Sequence, residues 1–267
     1  MNTMTDIKVV VNGALGRMGQ EVLNAVYKAE GLTAVAGSDV AATSKTVKIP
    51  NTSIELPIFN NINDALSNSD VVVDFSNASG AMKVITAASK AGVNCVIGST
   101  GLSDEDFKNA KSLSEENQVS VIIAPNFAIG AVLMTHLVKE SAKFFDYADL
   151  TEVHHEAKID SPSGTAISIA QAAYEGKQSD FQNPKPEKDL IDNTRGGSFN
   201  GVVIHSGRMP GRVAHHEMVF ASLGQTLTIR HDSINRESFM PGVVMAIRAT
   251  SEMKGLTIGL EKIMGLK

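Results

Sequence analysis

Five short runs rich in valine and isoleucine, at residues 7–11, 33–37, 71–75, 93–97 and 119–124, alternate with segments of helical spacing at 18–29, 81–90 and 104–116. Strand-length runs that are apolar throughout, without alternation, must be buried on both faces. Parallel neighbours in turn need a crossover connection, usually a helix. The first 125 residues are therefore expected to form a parallel sheet covered by helices on both sides. Residues 41–57 are polar and β-branched, which predicts a loop or a short edge strand.

The pattern changes after Asn126. A long helix is expected over 127–145, a strand over 150–156 and a helix over 163–174 capped by Ser163. The polar stretch 176–200, with Pro184, Pro186 and Gly196-Gly197, reads as a long excursion of the kind that is usually functional or mobile. Strand candidates at 202–206, 213–221 and 225–230 suggest an open, largely antiparallel sheet, and 239–251 a helix returning to the first domain. A length of 267 residues suits two modest domains or one large one.

A net charge of −5 argues against nucleic acid or an anionic membrane as the main partner. No apolar stretch reaches the length of a membrane span, and the N-terminal residues lack a signal peptide's basic-then-apolar order. The one cysteine, Cys95, excludes an internal disulfide, and its apolar surroundings predict a buried filler. A cytoplasmic location is expected.

The first strand runs straight into Gly13-Ala14-Leu15-Gly16-Arg17-Met18-Gly19 and then a helix. Glycines at such a turn let backbone approach a pyrophosphate, whose charge sits at the helix N-terminus. The spacing Gly-x-x-Gly-x-x-Gly departs from the strict dinucleotide fingerprint, so an ordinary strand-to-helix turn is the competing reading. Asp39 weighs against that alternative: it lies about twenty residues on, where an acid accepts hydrogen bonds from the adenosine ribose. Its charge would repel a 2′-phosphate, so NADH is expected over NADPH, with Lys45 and Lys48 the only nearby cations in the loop. Ligands of open parallel sheets bind beyond the carboxyl ends of the strands. Gly98, Ser99 and Thr100, and Pro125, Asn126, Phe127 and Ala128, end two further strands and are expected to border the nicotinamide. The fold expected is thus α/β: a Rossmann-type parallel-sheet domain (1–126 and 237–267) and a smaller α+β domain with an open mixed sheet (127–236).

His154, His155 and Lys158 crowd into five residues, followed by the turn Ser163-Gly164-Thr165. Histidine titrates near neutrality and lysine is a firm cation, so the run offers a proton donor beside an anion anchor. On a strand the two histidines would face opposite ways, so one of them could be structural. Two histidines make an incomplete zinc set, and no metal is expected. The second pair, His215-His216, reads as strand structure.

With the glycine turn and the run His154–Ala166 both in view, the chain resembles the bacterial dihydrodipicolinate (4-hydroxy-tetrahydrodipicolinate) reductases over nearly its whole length. The likeness extends through 96–101, 124–127, 204–211 and 230–242. The resemblance implies an NAD(P)H-dependent oxidoreductase of the diaminopimelate route to lysine, acting on a small dicarboxylate and assembled as a homotetramer. It further implies His154 as proton donor, Lys158 as a second catalytic group, and His155, Gly164 and Thr165 as substrate contacts. Cofactor contacts would fall on Gly13, Ala14, Leu15, Gly16, Arg17, Met18, Asp39, Gly98 to Thr100 and Pro125 to Ala128. Val40 and Asn77 stand where some relatives carry a cation, which puts NADPH use in doubt. His205, His231 and Arg236 are further candidates for the substrate pocket, and hinges are expected near 126–127 and 236–238. Competing readings are a related two-domain dehydrogenase, a dinucleotide-sensing regulator and a metal-dependent hydrolase. The regulator would need a DNA-binding helix pair or basic face that the sequence lacks.

Overall fold

The computed structural model describes residues 6–188 and 190–266; residues 1–5 and 267 of the expected first domain, and residue 189 of the 176–200 excursion, lie outside them. β1 (Ile7–Asn12) leads into α1 (Arg17–Lys28), and β2 (Leu32–Ser38) returns parallel to β1. Val9, Val10 and Val11 are fully buried, as an apolar run without alternation requires. The polar stretch 41–57 carries two strands rather than a loop or one edge strand. β3 (Thr46–Lys48) and β4 (Glu55–Phe59) pair antiparallel, and β4 joins β2 in parallel. Val47 and Ile58 are the buried anchors of this pair, too sparse a pattern to stand out in sequence.

Next come α2 (Ile62–Ala65), β5 (Val71–Asp74), α3 (Ala78–Lys90), β6 (Asn94–Ile97), α4 (Asp104–Glu116) and β7 (Ser120–Ile123). Two helix starts are set by sequence: the Asn77 side chain accepts from Gly80 N, and Ser103 and Asp106 form a reciprocal capping box before α4.

The chain then enters a second compact unit, Ile129–Asn235. It holds α5 (Ile129–Ala142), β8 (Tyr147–His154), α6 (Gly164–Lys177), β9 (Gly197–Phe199), β10 (Val202–Arg208), β11 (Ala214–Ser222) and β12 (Gln225–Ser233). Its sheet has the order β12-β11-β8-β10-β9, antiparallel except where β10 runs parallel to β8. β8 alternates strictly, so Ala148, Leu150, Glu152 and His154 share the buried face. Leu150, Met218 and Phe220 on that face pack with Val138 of α5 and Ile169 of α6. The strand expected at 150–156 ends at His154, which leaves His155 outside it and exposed; the opposite-face reading of the pair does not apply.

The last segment belongs with the first unit: a 3₁₀ turn (Arg236–Phe239), α7 (Met240–Ala249) and β13 (Gly255–Ile258). β13 pairs parallel with β7 and closes a sheet of order β13-β7-β6-β5-β1-β2-β4-β3. Strand order reverses across β1, which places a topological switch point at the carboxyl ends of β1 and β5. No described helix is long and apolar enough to cross a membrane.

Candidate functional site

In the first unit the switch point carries the glycine turn. Gly13 lies at φ +73°, a conformation that favours glycine, and the Gly13 and Ala14 N–H groups donate to Ser38 O at 2.8 and 3.1 Å. A Cβ on Gly19 would lie 2.1 Å from Gly13 O, so α1 can begin against the turn only because residue 19 has no side chain. Gly16 caps α1 without offering a side-chain acceptor, leaving first-turn N–H groups for an anion. Asp39 accepts from Leu15 N and Ala41 N, both at 3.0 Å, which fixes its carboxylate beside the turn. This cradle of bare backbone with an acid at its rim suits a dinucleotide. Leu15 and Arg17 are exposed, Met18 is half-buried and Ala14 is fully buried, so only Ala14's backbone can meet a ligand.

Asp74, at the end of β5, is fully buried and collects three donors: Asn12 Nδ2 at 2.6 Å, Ser76 Oγ at 2.7 Å and Ser99 Oγ at 2.6 Å. One carboxylate thereby ties together the ends of three neighbouring strands. Ser99 is committed to that bond and is buried, whereas Thr100 and Pro125 are exposed. Gly98 admits the Phe75 ring, which a Cβ would meet at 2.1 Å, and Phe75 packs on Phe127 at 5.6 Å between centroids. Phe127 and Ala128 are buried, and Asn126 Oδ1 holds Ala128 N at 2.9 Å.

The second unit gathers the titratable groups. His154 and Glu152 lie two residues apart on the buried face of β8, and His154 Nδ1 is 2.5 Å from Glu152 Oε2. Arg208 at the end of β10 donates to both carboxylate oxygens, Nη2 to Oε1 at 2.9 Å and Nη1 to Oε2 at 3.1 Å. Burial alone would raise the Glu152 carboxyl, but hydrogen bonds from Arg208, Ser206 and His154 hold it below its ordinary value. Burial lowers the His154 pKa, Glu152 draws it back up, and the Lys158 and Arg208 charges lower it further. His216 of β11 stands edge-on to His154, with centroids 5.3 Å apart. Its Nε2 meets Ser163 Oγ at 3.2 Å, and burial pushes its pKa down to about 4. His216 is therefore part of this cluster as well as strand structure.

Ser163 caps α6 by accepting from Ala166 N at 3.1 Å, and Ile167 N donates to Ser163 O. The N–H groups of Gly164 and Thr165, in the first turn, have no intrahelical partner and point out of the helix start. A Cβ on Gly164 would meet nothing within 4 Å, so the space above the turn is open. Lys158 Nζ donates to Asp160 at 2.6 Å. Among the remaining candidates, His205 pairs with Asp149 at 2.7 Å, His231 packs against Gly130, and Arg236 belongs to the other unit.

Glu152, His154 and His216 place ligand-type atoms within 4.8 Å of one another. The Arg208 fork occupies the carboxylate and sets a guanidinium charge against any cation, so the trio reads as proton-handling chemistry rather than a cation cage. Sequence reasoning missed Glu152 and Arg208. A carboxylate two residues before His154 on a strand shares its face, a signal that was available. Arg208 had no local signal, since it meets His154 only through the β8–β10 register.

The N-terminal model of the dihydrodipicolinate reductases matches residues 7–127, and their C-terminal model residues 130–264. A 4-hydroxy-tetrahydrodipicolinate reductase of Dehalococcoides mccartyi strain 195 is 42% identical over 265 residues, 98% of this chain and 100% of the relative. One from Desulfitobacterium hafniense DCB-2 is 38% identical over 266 residues, again 98% and 100%. A dipicolinate-bound dihydrodipicolinate reductase from Paenisporosarcina sp. TG-14 superposes with a TM-score of 0.87 at 38% identity, covering 97% of this chain and 100% of that one. An amine dehydrogenase from Mycobacterium smegmatis shares the fold alone, at a TM-score of 0.66 and 13% identity over 95% of each chain. With both halves of the family's model matched and relatives aligned end to end, this chain belongs to the dihydrodipicolinate reductase family.

Proposed function

We propose that the chain reduces 4-hydroxy-tetrahydrodipicolinate to tetrahydrodipicolinate in the diaminopimelate route to lysine. One hydride and one proton enter the substrate and one water leaves. The observation that carries the reading is the His154 ring, with Nδ1 held by a buried carboxylate and Nε2 left for a substrate, tied to a helix start with two open N–H groups. The names of the full-length relatives and the dicarboxylate bound by the Paenisporosarcina structure support the same reading.

The nicotinamide, when bound, supplies the hydride. The glycine turn would hold its pyrophosphate, Asp39 its ribose, and the ends of β6 and β7 would border the ring. His154 delivers the proton that quenches negative charge left on the substrate, from Nε2 because Nδ1 faces Glu152. Lys158, steadied by Asp160, provides a positive charge at the same centre. The Gly164 and Thr165 N–H groups and the Thr165 hydroxyl hold one substrate carboxylate, with His155 contacting the substrate from the exposed side. Asp39 supports NADH over NADPH, since both its oxygens are fixed beside the turn and would repel a 2′-phosphate. The family resemblance supports a cytoplasmic homotetramer.

The test is to monitor NADH absorbance with freshly generated 4-hydroxy-tetrahydrodipicolinate. Substrate-dependent loss of absorbance is expected, and its absence with both NADH and NADPH overturns the reading.

A further inference from the structure

We propose that Glu152 is a positioning residue that couples the proton donor to the anion-binding turn, orienting the His154 ring and anchoring the backbone of Ser163 through one carboxylate. The inference rests on the reductase reading above and adds a residue to it. Glu152 is completely buried, and a buried carboxylate is tolerated only where its charge is paired and its lone pairs are filled. Here both conditions hold. Oε1 accepts from Arg208 Nη2 at 2.9 Å and from Ser163 N at 3.3 Å. Oε2 accepts from Arg208 Nη1 at 3.1 Å and faces His154 Nδ1. Arg208 keeps Glu152 ionised, and the ionised group can only accept, so the proton shared with His154 belongs on Nδ1. The neutral ring is thereby locked with Nε2 bare, and the protonated ring presents Nε2–H outward.

The same carboxylate reaches the turn. Ser163 N–H points at Glu152, and Ser163 Oγ, which accepts from Ala166 N, also meets His216 Nε2 at 3.2 Å. Burial holds the His216 pKa down to about 4, so near pH 7 its ring is neutral and adds no charge beside His154. The groups facing His154 are Glu152 on its own strand, Lys158 on the loop after it, Arg208 on β10 and His216 on β11. Of these only Glu152 favours the protonated imidazole. A movement of the Glu152 side chain would displace the acid and the helix start together, which a residue acting on only one of them could not do.

The decisive measurement is the imidazole ¹⁵N spectrum of His154 followed through pH, in the wild-type protein and in Glu152→Gln, with no substrate or cofactor present. Wild-type His154 is expected to carry its neutral-state proton on Nδ1. In E152Q the titration midpoint is expected to fall by about 1–3 pH units, the usual effect of losing an adjacent opposite charge. The fall of kcat with rising pH should move down by the same amount, while KM for NADH stays within twofold. A neutral wild-type ring protonated on Nε2, or an E152Q titration superimposing on wild type, overturns the proposal. Should E152Q fold poorly, the wild-type tautomer decides alone. Because the spectrum needs no turnover, a protein inactive on the proposed substrate would sink the reductase reading and leave this result standing or falling by itself.

Discussion

Gly19→Ala probes the cofactor cradle at one atom. The added Cβ would lie 2.1 Å from Gly13 O and 2.8 Å from both Gly13 C and Ala14 Cα. All three neighbours are backbone, so no rotamer change relieves the clash. Ordinary contact begins near 3.4 Å, so the start of α1 must retreat from the turn by more than an ångström. Overpacking of this kind costs about 1–3 kcal/mol, offset in part by the roughly 0.5–1 kcal/mol that alanine gains over glycine inside a helix. The larger effect falls on the ligand. Hydrogen bonds to a charged group contribute about 1.5–3 kcal/mol each, and a displacement of this size breaks at least one. The NADH dissociation constant should therefore rise by at least about tenfold, since 1.4 kcal/mol is a factor of ten. Titration by NADH fluorescence measures it, with thermal unfolding run in parallel. Gly197→Ala is the control, because a Cβ there meets nothing and the backbone is unstrained. If G19A binds NADH as tightly as wild type and melts at the same temperature, the argument that a bare helix start forms the cradle is wrong.

Replacing both His154 and Lys158 by alanine should lower kcat by roughly 10²–10⁴-fold, as for loss of a positioned acid; turnover near wild type would remove both from the mechanism. Asp39→Ala should shrink the ratio of kcat/KM for NADH over NADPH by at least about tenfold, on the scale of one screened charge repulsion, and an unchanged ratio refutes the role given to Asp39. His216, held to about 4 in the fold against 6.5 for the free side chain, leaves the unfolded chain binding more protons between those values. Its contribution to stability is therefore complete above about pH 6.5 and lost as pH falls toward 4, so the melting temperature of His216→Gln should drop less than that of wild type over this interval. Parallel melting curves for the two proteins would refute it.

Much of the fold was legible because burial leaves a local trace. The run Val9-Val10-Val11 had to be covered on both faces, and it is. Ser163 was readable as a helix cap because its short hydroxyl bonds the N–H three residues on. The limits of β8 were misjudged at its end: nothing in His154-His155-Glu156 marks where pairing stops, and pairing stops because β11 and β10 end opposite His154. β13 went unseen for a similar reason, since four residues at a sheet edge, with only Thr257 buried, carry no alternation to read.

The sequence alone determined the parallel sheet, the glycine turn with Asp39, and the concentration of proton donors before Ser163. Each depends on residues close in the chain, whose geometry is set by period, φ preference and hydrogen bonding along the backbone. Only the tertiary structure decided that Arg208, His216 and Ser163 gather around the Glu152–His154 pair, and that Asn12 and Ser99 meet on Asp74. Those groups come from different strands, strand ends and a helix start. Which of them face one another is fixed by the pairing register and the packing of the helix on the sheet, properties of the folded unit that no single segment contains.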